Sequence, residues 1–268
     1  MLKRVFLFVL TNIAIMAMVS IVFAVLGQLG VLDLAGSQGT LLIYCAIWGF
    51  GAALVSLLLS RKMAKWSLGV RLVGPESPSP EAQWLYATVA RLAQAANLPM
   101  PEVGVYDSPE VNAFATGPSK KRSLVAVSSG LFRSMDRQEI EGVLAHELTH
   151  VANGDMVTMT LIQGVVNAFV LYLAHIVAMV VRNFLARDNE RGPSFLGVIA
   201  GQLVFIAAQI AFGLIGSMIT AWFSREREFR ADAGGASLAG TGAMVGALPR
   251  GAPSPRGRRV LTARGPST

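Results

Sequence analysis

The sequence predicts a multi-pass α-helical membrane protein that carries a small α+β domain. Three observations lead there. First, 53% of the 268 residues are hydrophobic, only 15% are charged, and mean hydropathy is +0.53. Soluble domains carry about a quarter charged residues, so an ordinary cytosolic globule is excluded. Disordered and fibrous classes are excluded by the same apolar content. Second, the apolar residues are gathered into four long uncharged runs. Third, the stretch between the second and third runs reads as helix, short strands, helix. Cys45 is the one cysteine and lies in an apolar run. A disulfide framework or thiolate metal site is therefore ruled out.

The first run, residues 5–27, contains no charged residue. At helical rise it spans roughly 34 Å, enough to cross a bilayer. Lys3 and Arg4 precede it, but the run is too long for a signal peptide and no polar cleavage region follows. A retained anchor is expected. Residues 39–60 form a second run, closed by Arg61, Lys62 and Lys65. The linker between them carries Asp33 and neither Lys nor Arg. Positive charge on both outer flanks predicts a hairpin, residues 1–60, with both ends in the cytoplasm. Residues 157–181 and 195–223 are the third and fourth runs, interrupted by Gln163, Asn167, His175, Gln202 and Gln209. Their loop holds Arg182, Arg187 and Arg191 against Asp188 and Glu190. Spanning would put these arginines outside, against the charge rule. A second hairpin over residues 157–223 is nevertheless the expected arrangement.

Residues 61–156 read as a soluble unit. Ser79 and Pro80 suit an N-cap and first helical position. The spacing of Trp84, Leu85, Val89, Leu92 and Ala96 continues that helix to about Asn97. Strand-like pieces follow at 102–107, 111–117 and 123–129, with a turn at Gly117, Pro118 and Lys120–Arg122. Asp136 and Glu139 form a capping-box pattern. It opens a helix through Val151, which Gly154 ends.

Within that helix stands His146-Glu147-Leu148-Thr149-His150. Residues four apart share a helix face, so both imidazoles can reach one metal ion. Glu147 is offset, where it can take the proton from a metal-bound water. Three histidines in the whole chain make this spacing unusual. A catalytic zinc site has three protein ligands and an open position. His150 is followed by VANGDM, which lacks a third histidine. His175 is one candidate, although a hydrogen-bonded role in helix packing suits its apolar run better. The other lies in Ser224–Asp232, directly after the fourth run. If helix continues there, Glu228 and Asp232 share a face. Glu228 can then be the third ligand, with Asp232 supporting a ligand histidine. The same segment also suits a charged interfacial cap on a membrane helix.

HELTH followed by NGD, the segment VNAFATG, and SREREFRADAG after paired apolar runs resemble the HtpX-type heat-shock membrane zinc proteases, relatives of the CAAX prenyl proteases. The resemblance covers roughly residues 1–248. It implies a zincin-like fold for the α+β domain and zinc, one per subunit, held by His146, His150 and Glu228. Glu147 would be the catalytic acid and base. Asn112, Ala113, Phe114 and Ala115 would belong to an edge strand that pairs with extended substrate, though the residues alone equally suit a core strand. The resemblance further implies a zinc endopeptidase of the bacterial inner membrane, with a cytoplasmic active site. Its partners would be the bilayer and damaged membrane proteins that it clears under stress.

Residues 224–248 are then a third-ligand helix. Residues 249–268 depart from the family, which continues with further helices and a Thr-His-Pro motif. They are rich in Pro, Gly, Arg and Ser and are expected to be a disordered tail from a truncated or frame-shifted terminus. Arg250, Arg256, Arg258, Arg259 and Arg264 put five of the seven net positive charges in that tail. The basic balance therefore gives no support to a nucleic-acid partner. Two rival readings remain: a zinc-binding but inactive relative that lacks the family's C-terminal segment, and a transporter suggested by polar residues in the apolar runs.

Overall fold

The computed structural model describes residues 38–186, 195–240 and 242–243. The first apolar run, most of the arginine-bearing loop and the basic tail lie outside the described residues. Helix α1, Gln38–Leu68, contains the second run and continues through Arg61 and Lys65. Strand β1, Arg71–Val73, was not anticipated from its pattern; it is short and largely exposed. Helix α2, Pro80–Ala95, starts as expected, with the Ser79 side chain accepting from the Ala82 amide. Strands β2, Glu102–Tyr106, β3, Ala113–Thr116, and β4, Leu124–Ser128, occupy the three strand-like pieces. Lys120–Arg122 folds as a 3-10 turn between the last two.

The sheet order is β1-β2-β4-β3. β2 and β4 run parallel with Val103 opposite Val125, whereas β1 and β3 are antiparallel to their neighbours. β4 is buried along its whole length, because both faces of the sheet are covered. Val125 and Val127 face Leu85, Val89 and Leu92 of α2, together with Ile140, Leu144 and Leu148. Leu124 and Ala126 face Ala64 and Leu68 at the end of α1. Ion pairs reinforce that second contact: Arg61 lies 3.2 Å and Lys65 2.5 Å from the Glu102 carboxylate. The basic end of α1 is thus fastened to the first residue of β2.

After the short helix α3, Ser129–Ser134, comes α4, Arg137–Asn153. Its capping box is complete: Asp136 accepts from the Glu139 amide at 2.8 Å, and Glu139 accepts from the Asp136 amide at 3.0 Å. Gly154 ends α4 with φ 72°, in the left-handed region, its amide reaching the His150 and Val151 carbonyls. Glycine adopts that conformation without steric penalty. The next residue starts α5, Asp155–Ala186.

Helix α6, Phe195–Ala239, is continuous through the fourth run and the charged segment after it. Helices α1, α5 and α6 are each long and apolar enough to cross a membrane. At 45 residues α6 is roughly 68 Å long, about twice the hydrocarbon thickness. Much of it therefore projects beyond any bilayer and packs against α4. In the bundle, α1 and α5 approach closely at Gly49, where a Cβ would lie 2.5 Å from the Ala168 backbone nitrogen. His175 bonds the Leu171 carbonyl at 2.8 Å and packs edge-on to Tyr44 and Phe205. That is the packing role anticipated for it, in a different place from the second motif.

Candidate metal centre

α4 carries His146 and His150 one turn apart, half-buried, with ring centroids 4.8 Å apart and nearly perpendicular planes. The distal half of α6 brings Glu228 to them. Its Oε2 lies 3.3 Å from His146 Nε2 and 3.6 Å from His150 Nε2, and the two Nε2 atoms are 3.2 Å apart. Three donor atoms of one cluster thus lie within 4.8 Å of one another. Metal bonds of roughly 2.0–2.2 Å place neighbouring tetrahedral ligands about 3.3–3.6 Å apart. The three separations match that edge length, and two imidazole nitrogens with one carboxylate oxygen form a set that first-row divalent ions accept. The residues fit a metal ion.

Small residues let α6 come this close. Ala231 is fully buried, and a Cβ on Gly234 would lie 2.4 Å from the Thr149 side chain. Asp232 Oδ1 sits 3.0 Å from His146 Nδ1, yet the two atoms are not aligned as a hydrogen bond. Asp155, which the sequence reading passed over, is better placed. Its side chain is 2% exposed and its Oδ2 lies 2.7 Å from His150 Nδ1. The spacing alone hid it. Five residues on in an unbroken helix point about 140° away, and the break at Gly154 brings Asp155 back.

Glu147 faces the sheet. The Ala115 amide donates to its Oε2 at 2.8 Å. Burial pushes the Glu147 carboxyl above the ordinary range, outweighing the pull of His146, His150 and the Ala115 amide. For His150, burial lowers basicity, but Glu228 and Asp155 together hold it above the ordinary imidazole range. β3 pairs with β4 on one side and forms an edge of the sheet. Ala113, Phe114 and Ala115 lie in it; Asn112 precedes it, its amide donating to Ser128 Oγ at 3.1 Å. His146, His150, Glu228, Glu147, Asp232 and the Ala115 amide are thus brought together, whereas Phe114 packs against Tyr106 on the other face of the sheet.

Comparisons with known proteins agree with this arrangement. The profile of peptidase family M48 matches residues 79–249. Protease HtpX of Shewanella loihica is 52% identical over 248 residues, covering 92% of this chain and 84% of that protein. Protease HtpX of Aeromonas salmonicida is 52% identical over 249 residues, covering 92% and 85%. The crystal structure of S. mikatae Ste24p aligns with a TM-score of 0.57 at 20% identity, over 76% of this chain and 50% of that one. That last likeness concerns the fold. The half-identity relatives and the match across the metal cluster decide the family. The chain belongs to peptidase family M48 and is a membrane-bound metalloprotease.

Proposed function

We propose that this metalloprotease is a zinc-dependent endopeptidase that cuts damaged membrane proteins at the cytoplasmic face of the bacterial inner membrane. The observation that carries the reading is the donor triangle of His146, His150 and Glu228, with Glu147 beside it. Two imidazoles and a carboxylate are a common zinc set in hydrolases. One zinc per chain would sit there. Bound zinc would polarise the scissile carbonyl and acidify a water molecule.

The chain's own groups do the rest. The Ala115 amide holds Glu147 Oε2, leaving Oε1 to take the proton from water and pass it to the departing amide nitrogen. Burial that raises the Glu147 carboxyl makes it a better base than an exposed glutamate. Asp232 and Asp155 stand behind the two imidazoles. Asn112, Ala113, Phe114 and Ala115 would receive extended substrate. The Ala115 amide points towards Glu147 and away from β4, so the two-residue period turns Ala113 outward as well. An added strand would pair with Ala113 and with the Ala115 carbonyl.

The division of labour follows. Residues 1–60 and 157–223 seat the chain in the bilayer, 61–156 form the zincin-like unit, and 224–248 deliver Glu228. Arg61, Lys62 and Lys65 argue for the cytoplasmic side, and Arg61 and Lys65 touch the sheet. These contacts support a cytoplasmic position for the sheet's side of the molecule. The HtpX relatives are named as proteases, which supports peptide-bond cleavage as the reaction.

The test uses the full chain in lipid nanodiscs, with casein and a single-span protein as substrates. Cleavage should need zinc, stop with a chelator and fall by about 10²–10⁴ in Glu147→Gln, while zinc per chain stays at one. Cleavage that survives Glu147→Gln would overturn the mechanism. Absence of any cleavage would favour the inactive-relative reading.

A further inference from the structure

We propose that Asp155 is a positioning residue for the metal centre: it fixes the His150 ring, so the first residue of helix α5 sets the geometry of a ligand carried by α4. The inference rests on the zinc reading above. Three observations carry it.

The first is contact. Asp155 Oδ2 lies 2.7 Å from His150 Nδ1, and the carboxylate is buried at 2% exposure. A buried carboxylate is costly without a strong partner, and among the described residues His150 meets that need. With Nδ1–H donated to Asp155, the lone pair of His150 is left on Nε2, the atom that faces His146 and Glu228. The tautomer and the ring plane are set together.

The second is the backbone. Gly154 takes φ 72° and bonds back to His150 and Val151. A continuous helix would turn residue 155 about 140° from His150. The left-handed break therefore does two things at once. It closes α4 and returns the next side chain to the metal face. A Cβ on Gly154 would meet nothing within 4 Å, so backbone conformation, rather than crowding, calls for glycine at this position.

The third is the contrast with His146. Its nearby carboxylate, Asp232, is 35% exposed and lies off the hydrogen-bond line. The two ligand histidines are held unequally. His150 is the fixed one, and its anchor belongs to a helix fit to cross the bilayer.

The experiment measures zinc affinity of the full chain in nanodiscs by competition with a chelating dye. Asp155→Ala and Asp155→Asn are compared with the unmodified protein. Removal of such an outer carboxylate lowers metal affinity by about 10–100-fold. Alanine should reach the upper part of that range. Asparagine keeps an acceptor oxygen without the charge and should fall between alanine and the unmodified chain. The visible absorption bands of the cobalt-loaded protein should shift in both variants, because ring orientation changes the ligand field. A purely structural role would instead lower the melting temperature of the metal-free chain and leave the affinity and the cobalt bands alone. That result overturns the inference while leaving the zinc reading standing. Failure of the unmodified chain to bind zinc would overturn both.

Discussion

Around the sheet, the fully buried side chains are large: Leu85, Leu92, Leu131, Ile140, Leu144 and Leu148. In the bundle of α1, α5 and the first half of α6, the buried positions are small: Ala168, Ala174, Ala178 and Ala208, with Gly49 and Gly164 where helices touch. There the large side chains point outward, among them Leu203, Ile210, Leu214 and Met218. The reversal has a physical cause. In water, burying large apolar surface drives folding. In lipid that drive is absent between helices, and close backbone approach takes over. The metal cluster lies where the two regimes meet. His146, Glu147 and His150 come from the water-packed half, and Glu228 from the far end of a membrane-type helix.

The strongest way to probe that meeting point is Glu228→Ala. It should remove most of the zinc, measured as metal per purified chain, while far-ultraviolet circular dichroism stays unchanged. Full retention of metal would mean that the α6 side contributes no ligand. A paired substitution then sharpens the contrast between the halves. Leu148→Ala empties a fully buried site and should cost about 2–5 kcal/mol. Leu214→Ala alters a side chain that is 65% exposed and should stay within about 0.5 kcal/mol. Denaturant unfolding in nanodiscs reads both, and equal costs would erase the distinction. Last, Gly49→Leu should lower stability by about 1–3 kcal/mol, because its side chain must displace the Ala168 backbone. An unchanged melting temperature would show that α1 and α5 do not rely on that approach.

Local signals carried much of the fold into view. Ser79 and Pro80 marked the start of α2, and the Asp136–Glu139 box and Gly154 marked both ends of α4. These are caps, whose chemistry lies within a few residues of the chain. β1 escaped because three exposed residues carry no period. The pairing of His146 and His150 was legible because their spacing is helical. Glu228 was legible only as an option, since its partners are on another helix. Asp155 was hidden by the turn at Gly154, and the Ala231–Gly234 face of α6 by looking like ordinary small residues. Contacts that need a chain reversal or a neighbouring helix leave no spacing to read.

The position of Glu228 has a consequence in time. On the ribosome, His146 and His150 emerge before α5 and α6 exist, and Glu228 follows His150 by 78 residues. At elongation rates of about 5–20 residues per second, that is a delay on the order of ten seconds. During it the nascent chain carries the HELTH segment without its carboxylate partner. The cluster closes only after the last apolar helix has been synthesised and seated against α4. The complete donor triangle is therefore a late product of synthesis, formed only once α6 lies against α4.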